Sequence, residues 1–445
     1  MADGFQVLTN QQSMEILGRV DICPTEKDRE RLRSLASRVL EIARSDDIKT
    51  KKRQWKAVRD LKPERPMILF ETLTVNGFIT EKELECENEY LRNAEKTLLY
   101  GIKQYEYVRD DVVLEDYFRL AWQVAKSDYG IPIVEHHLEN SLAYLSEFPV
   151  KEVADLDQLR PCIFSVDKER TLGFRDTLED IFGDILPVRV GNIDKFFSEM
   201  GFNPFVGNNE PMLTMDVFKL LGYETMSMWV FDAPEAMHRL MKYLLDENLK
   251  FLQWQKDEGI LRLNTDNQFA GPSGYGYVSG LPEETRETPD VTPEISDCWT
   301  WAESQESAIF SPAMFEEFFL PYLAEYMNKF GLVSYGCCEA VDDRIERIMK
   351  AVPKLRTVSV SGWNNFEKVA EILGKDYVYC RKPTPALISG DYPFWDQAKA
   401  DLVRTWNCTK NQPVEFIFRD VFHLSGDIAR IPRWVEMAKG VLGLD

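Results

Sequence analysis

Eight short β-rich runs, most of them separated by stretches of helical periodicity, constrain this chain more than any other feature of its sequence. In order they are MILFE (67–71), PVRVG (187–191), SMWVFD (227–232), CWTWA (298–302), LVSYGC (332–337), RTVSVS (356–361), YVYCR (377–381) and VEFIF (414–418). Strands that alternate with helices require crossover connections, and crossovers make the sheet parallel. Eight such units close most economically into a (β/α)8 TIM barrel, an α/β fold that needs about 250 residues. The chain has 445, so there is a surplus to place. Residues 1–62 read as a charged helical N-terminal extension, in which Leu32, Leu35, Ala36, Val39 and Ile42 recur at helical spacing after Thr25 as N-cap. Residues 63–445 read as the barrel, with an insertion at about 76–185 after the first strand. An open doubly wound sheet is the alternative.

Two helices carry their own punctuation. Asp232 and Pro234 start one with the stripe Met237, Leu240, Met241 and Leu244, and Gly259 closes it. Ser311 and Pro312 start another that runs toward Gly331, with Pro321 as a kink.

Lys and Arg number 53 against 74 Asp and Glu, a net charge of −21, which repels nucleic-acid backbones and anionic membrane surfaces alike. The first residues lack the basic and apolar regions of a secretory signal, and there is no apolar run of about 18 residues, so the expected location is cytoplasmic. Eight cysteines without a C-x-x-C pair read as reduced thiols, free to act as ligands.

In a barrel of this kind the chemistry gathers beyond the C-terminal ends of the strands. Glu71 follows the first run, and Glu303 and Glu306 the fourth. Cys337, Cys338 and Glu339 follow the fifth, Trp363 the sixth, Lys382 the seventh, and Arg419, Asp420 and His423 the eighth. Thiols, carboxylates and an imidazole at one mouth suit zinc, and a catalytic zinc takes three protein ligands and keeps one position open. The candidate set is Cys337, Glu306 and His423, with Cys338 and Glu339 as substitutes. The same two thiols read equally as small buried side chains that only pack. Trp299, Trp301 and Trp363 are candidates to grip a flat ring, and large core aromatics are the commoner reason for such residues. The Gly-rich stretch 271–280 is expected to be a lid or substrate-facing loop.

The chain also resembles a family. Ser311-Pro312, Phe315-Glu316-Glu317-Phe318, Leu320-Pro321-Tyr322 and the strand ending in Cys337 resemble the uroporphyrinogen decarboxylase superfamily. The segments Tyr335-Gly336-Cys337-Cys338-Glu339, Arg381-Lys382-Pro383 and Arg419-Asp420 look closest to its decarboxylase-like branch, near the zinc- and corrinoid-dependent methyltransferases. Porphyrinogen decarboxylation is disfavoured, because the arginine-rich segment it needs after the first strand is here Phe70-Glu71-Thr72-Leu73-Thr74-Val75. The resemblance implies transfer of a methyl group from a small aromatic methyl ether to a corrinoid carried by a partner protein, with zinc assistance. In that reading Tyr335, Lys382 and Asp420 serve catalysis, and Glu71, Trp299, Trp301 and Trp363 hold the substrate. A homodimer is compatible with it. The alternatives are a cofactor-independent lyase and a non-catalytic binding protein.

Overall fold

The computed structural model describes residues 22–137, 144–191 and 211–444. Residues 1–21 of the expected N-terminal extension and 138–143 of the expected insertion lie outside these. Two helices open the described chain, α1 (Glu26–Ala43) and α2 (Asp46–Arg59). Thr25 caps α1: its hydroxyl accepts from the Asp28 amide at 3.2 Å while the Asp28 carboxylate accepts from the Thr25 amide at 2.9 Å. Leu32, Leu35, Ala36, Val39 and Ile42 are all buried, as the helical spacing requires.

Six strands form one parallel sheet. These are β1 (Met67–Phe70), β8 (Trp299–Ala302), β9 (Leu332–Tyr335), β10 (Leu355–Val360), β11 (Val378–Arg381) and β12 (Val414–Phe418), in the order β1-β12-β11-β10-β9-β8. Ile68, Phe70, Val333, Tyr335, Val358, Tyr379 and Phe416 point to one face, where they pack on later helices including α5 (Leu213–Asp232), α6 (Pro234–Asp257) and α12 (Arg430–Leu442). Met67, Leu69, Val378, Cys380 and Ile417 point to the other, against Trp55, Tyr275, Tyr277 and residues of α1. Both faces are therefore covered, as near-continuous apolar strands demand. Each fully buried Leu, Ile or Phe contributes about 1.5–3 kcal/mol.

Closure into an eight-stranded barrel is not what the ladders show. The run at 187–191 forms β7 (Val188–Gly191), but it pairs in parallel with β2 (Phe118–Ala121) in a separate two-stranded sheet. Each edge of the main sheet is met by side chains in place of a strand. Beside β1, the Asp111 carboxylate accepts from the Ile68 amide at 2.7 Å and Asp110 from Phe70 at 2.8 Å. Beside β8, Asn264 exchanges both hydrogen bonds with the Trp299 backbone, at 2.8 and 3.0 Å. Such groups satisfy an edge without extending it.

The run 227–232 is a second correction, since it lies inside α5. Met226, Trp229 and Val230 are buried while Met228 and Phe231 are exposed, which is helical spacing, and a short apolar run alone does not separate the two. The helix beginning at Pro312 divides into α7 (Pro312–Phe318) and α8 (Leu320–Met327), the break falling just before Pro321. Among the described residues no helix is long and apolar enough to cross a membrane.

The Gly-rich loop is neither a lid nor a surface loop over most of its length. Residues 272–278 are buried against the sheet. Arg59, at the end of α2, donates to the Tyr275 carbonyl at 2.9 Å and to Thr357 at 2.6 Å, and pairs with Glu415 at 3.1 Å. The Gly274 amide donates to Glu415 at 3.0 Å. A Cβ on Gly274 would stand 2.2 Å from the Trp55 ring, so only glycine passes there.

Candidate functional site

Just past the C-terminal ends of β9, β11 and β12 a small polar cluster assembles. Gly336 follows β9 with φ +94°, a left-handed conformation that turns the chain before the two thiols. Its carbonyl accepts from the Trp301 indole at 2.9 Å. Lys382 follows β11, and its ammonium is 2.6 Å from the Asp420 carboxylate, 3.3 Å from Cys338 Sγ and 3.5 Å from Cys337 Sγ. The two sulfurs are 3.7 Å apart.

These groups set each other's charge. Burial opposes the Lys382 cation, but Cys337, Asp420 and Cys338 outweigh it and hold the ammonium well above the usual lysine range. A hydrogen bond from Cys337 stabilises the Cys338 thiolate; with Lys382 it overcomes burial and brings Cys338 down to about 6. Cys337, donating that bond and buried, is pushed up. Burial would raise Asp420, yet Lys382 and Arg419 hold it below the ordinary carboxylate range. The cluster is thus a thiolate, an ammonium and a carboxylate in contact.

Beside it stands a second ion pair, whose arrangement the sequence did not announce. Arg419 donates to both oxygens of Glu71, at 2.7 and 2.8 Å, and to the Gly271 carbonyl at 2.9 Å. The two residues follow β1 and β12, which are neighbours in the sheet, so the pairing of those strands was the missing signal. Glu71 therefore stands neutralised by a buried bidentate partner.

The remaining expected residues do not enter this side-chain contact, although Glu339 reaches the Cys337 backbone. Glu306 accepts from Thr214 at 2.7 Å, and Glu339 accepts from the backbone amides of Ser304 at 3.1 Å and Cys337 at 2.8 Å. Burial raises Glu306, and burial with Glu306 and Glu339 raises Glu303 well above its usual range. Tyr335 is fully buried on the helix-covered face of the sheet, its hydroxyl raised by burial and by Glu339. Trp299 lies fully buried beneath the Gly-rich loop, donating to the Gly276 carbonyl at 2.9 Å. Trp363 is 81% exposed past β10, and His423 is exposed past β12.

The zinc set expected from the sequence is not assembled. Among the described residues no three His, Cys, Asp or Glu side chains are grouped so as to hold a metal ion. Where a cation would sit between the thiols and Asp420, the chain supplies its own in Lys382. These residues as arranged do not fit zinc.

No family model matches the chain, and no curated protein matches it. Among solved structures, a methyltransferase from Methanosarcina mazei aligns over 88% of this chain and 98% of its own, at 12% identity and a TM-score of 0.47. At that distance nothing about chemistry passes from one to the other.

Proposed function

We propose that the chain is a cytoplasmic methyltransferase that moves a methyl group from a small O-methyl donor, a methoxylated aromatic, to the Co(I) corrinoid of a partner protein. The observation that supports this reading is the Lys382 ammonium, buried yet fully charged, at the ends of three strands. Breaking an aryl methyl ether expels a phenolate, whose conjugate acid has a pKa near 10. A site for that reaction must stabilise negative charge on the departing oxygen. At an effective dielectric of about 20, opposite charges roughly 4 Å apart attract by about 4 kcal/mol, or nearly 10³ in rate.

Lys382 supplies that charge without giving up its proton, and the departing oxide takes one from solvent. Asp420 and the two sulfurs fix the ammonium in place. The exposed Trp363 offers a face for the donor ring. The partner's corrinoid supplies the nucleophile that accepts the methyl group. Zinc is given no step, because the donors the resemblance named are not gathered.

The test is to mix the purified protein with reduced cobalamin and a panel of methoxylated phenols, and to follow methylcobalamin by absorbance. Transfer that Lys382→Met slows by about 10²–10³ supports the reading. No methylcobalamin across the panel, with or without added zinc, sinks it. A second reading, a cofactor-independent lyase, is favoured by one observation: Lys382 and Arg419 put two cations beside Asp420, where a substrate carboxylate would be held. Release of CO2 without cobalamin would select it.

A further inference from the structure

At the opposite ends of the strands lies a cavity of about 630 Å³, walled by the starts of β9 and β10 and by the end of the Gly-rich loop. Lys62, Lys354 and Arg356 line it together with apolar residues that include Leu281, Leu332 and Leu355. Among the described residues none of the three cations forms an ion pair. Arg356 gives one hydrogen bond, to the Arg59 carbonyl at 2.6 Å. Burial, opposed by Asp60, holds its guanidinium below the usual arginine range, so an added negative charge would be stabilising there. One carboxylate, Asp60, lines the same cavity and accepts from the Ser279 amide at 2.9 Å and hydroxyl at 2.6 Å, so three cations face a single anion there.

We propose that this cavity binds a small organic anion carrying two or more negative charges, a phosphate ester or a polycarboxylate, with its charges on Lys62, Lys354 and Arg356 and its body against the lining leucines. The volume is that of ordinary small-molecule sites, and mixed walls of this kind orient a ligand by charge while burying its apolar part. The site lies at the end of the sheet away from Lys382, so it is separate from the proposed reaction centre.

Calorimetric titration of the full chain with ADP, citrate and inorganic phosphate tests this and separates the two sources. Saturable binding of ADP or citrate, weakened at least about tenfold in Lys62→Gln/Lys354→Gln and by raised salt, supports the proposal and says which anion class is held. Both lysines are exposed, so the fold should survive. Should that double variant fold poorly, Gly280→Glu gives an independent reading, since the space about Gly280 is open and the new carboxylate would repel the ligand. No saturable binding of any probe, or binding indifferent to both variants, overturns it.

Discussion

At the scale of single residues, the Cys338–Lys382 contact makes a claim about reactivity. Cys338 is exposed and held at about 6, so its alkylation by iodoacetamide should rise with pH up to about 7 and then level off. A thiol of ordinary pKa, near 8.5, would go on gaining well above that. Lys382→Met should move the profile to higher pH, and peptide mass spectrometry will localise the label. A profile still climbing at pH 8 in the wild type would refute the assignment. The neighbouring pair makes a claim about stability. Arg419 and Glu71 are almost wholly buried, so Glu71→Ala, which removes the bidentate partner of a buried guanidinium, should cost about 3 kcal/mol in urea unfolding. That Cys337, Cys338, Lys382 and Asp420 stand just past their strands was legible, because strand ends follow from β-rich runs. Which of them touch was not. It depends on the left-handed turns at Gly336 and Asp420, and these leave no periodic trace in the sequence.

At the scale of elements, the Gly-rich loop shows how composition misleads. Four glycines in ten residues suggest freedom, yet three of them, Gly271, Gly274 and Gly276, mark close approaches to packed neighbours. Gly274→Ala sets a methyl against Trp55 and Glu415, so we expect a loss of about 1–3 kcal/mol of unfolding free energy in urea, the range for overpacked cores. Gly280→Ala, in open space, should be within about 0.5 kcal/mol of wild type. Equal effects would mean that the loop is not packed as described. Six of the eight expected strands pair in the main sheet because their runs are short, apolar and bounded by turn residues. The run at 227–232 shares those traits and is nonetheless helical. It belongs to the part of α5 that follows the non-helical Gly222, where Thr225, Met226, Trp229 and Val230 are buried at helical spacing, and a run of six residues is too short to reveal that period.

At the scale of the whole molecule, the eight-run pattern predicts a closed ring, whereas the gap between β7 and β8 is bridged by buried charge. Arg119 pairs with Asp266, which also accepts from Tyr117, and Arg189 reaches Glu284 at 3.1 Å. Nothing in a list of strand runs foretells this, because the partners of Arg119 in β2 and Arg189 in β7, Asp266 and Glu284, come from loops distant in sequence. The seam has a signature in pH. Burial, reinforced by Asp266 and opposed by Arg189, pushes Glu284 up from 4.5 to about 7. Between those values the folded chain holds a proton that the unfolded chain has released, so stability must fall as pH rises through that window. Glu284→Gln keeps an acceptor for Arg189 but removes the titration. Its unfolding free energy, measured by urea denaturation from about pH 4.5 to 7, should therefore decline less steeply than that of the wild type. If the two slopes coincide, Glu284 is not held protonated, and the seam between the sheets is open to water rather than closed around its charges.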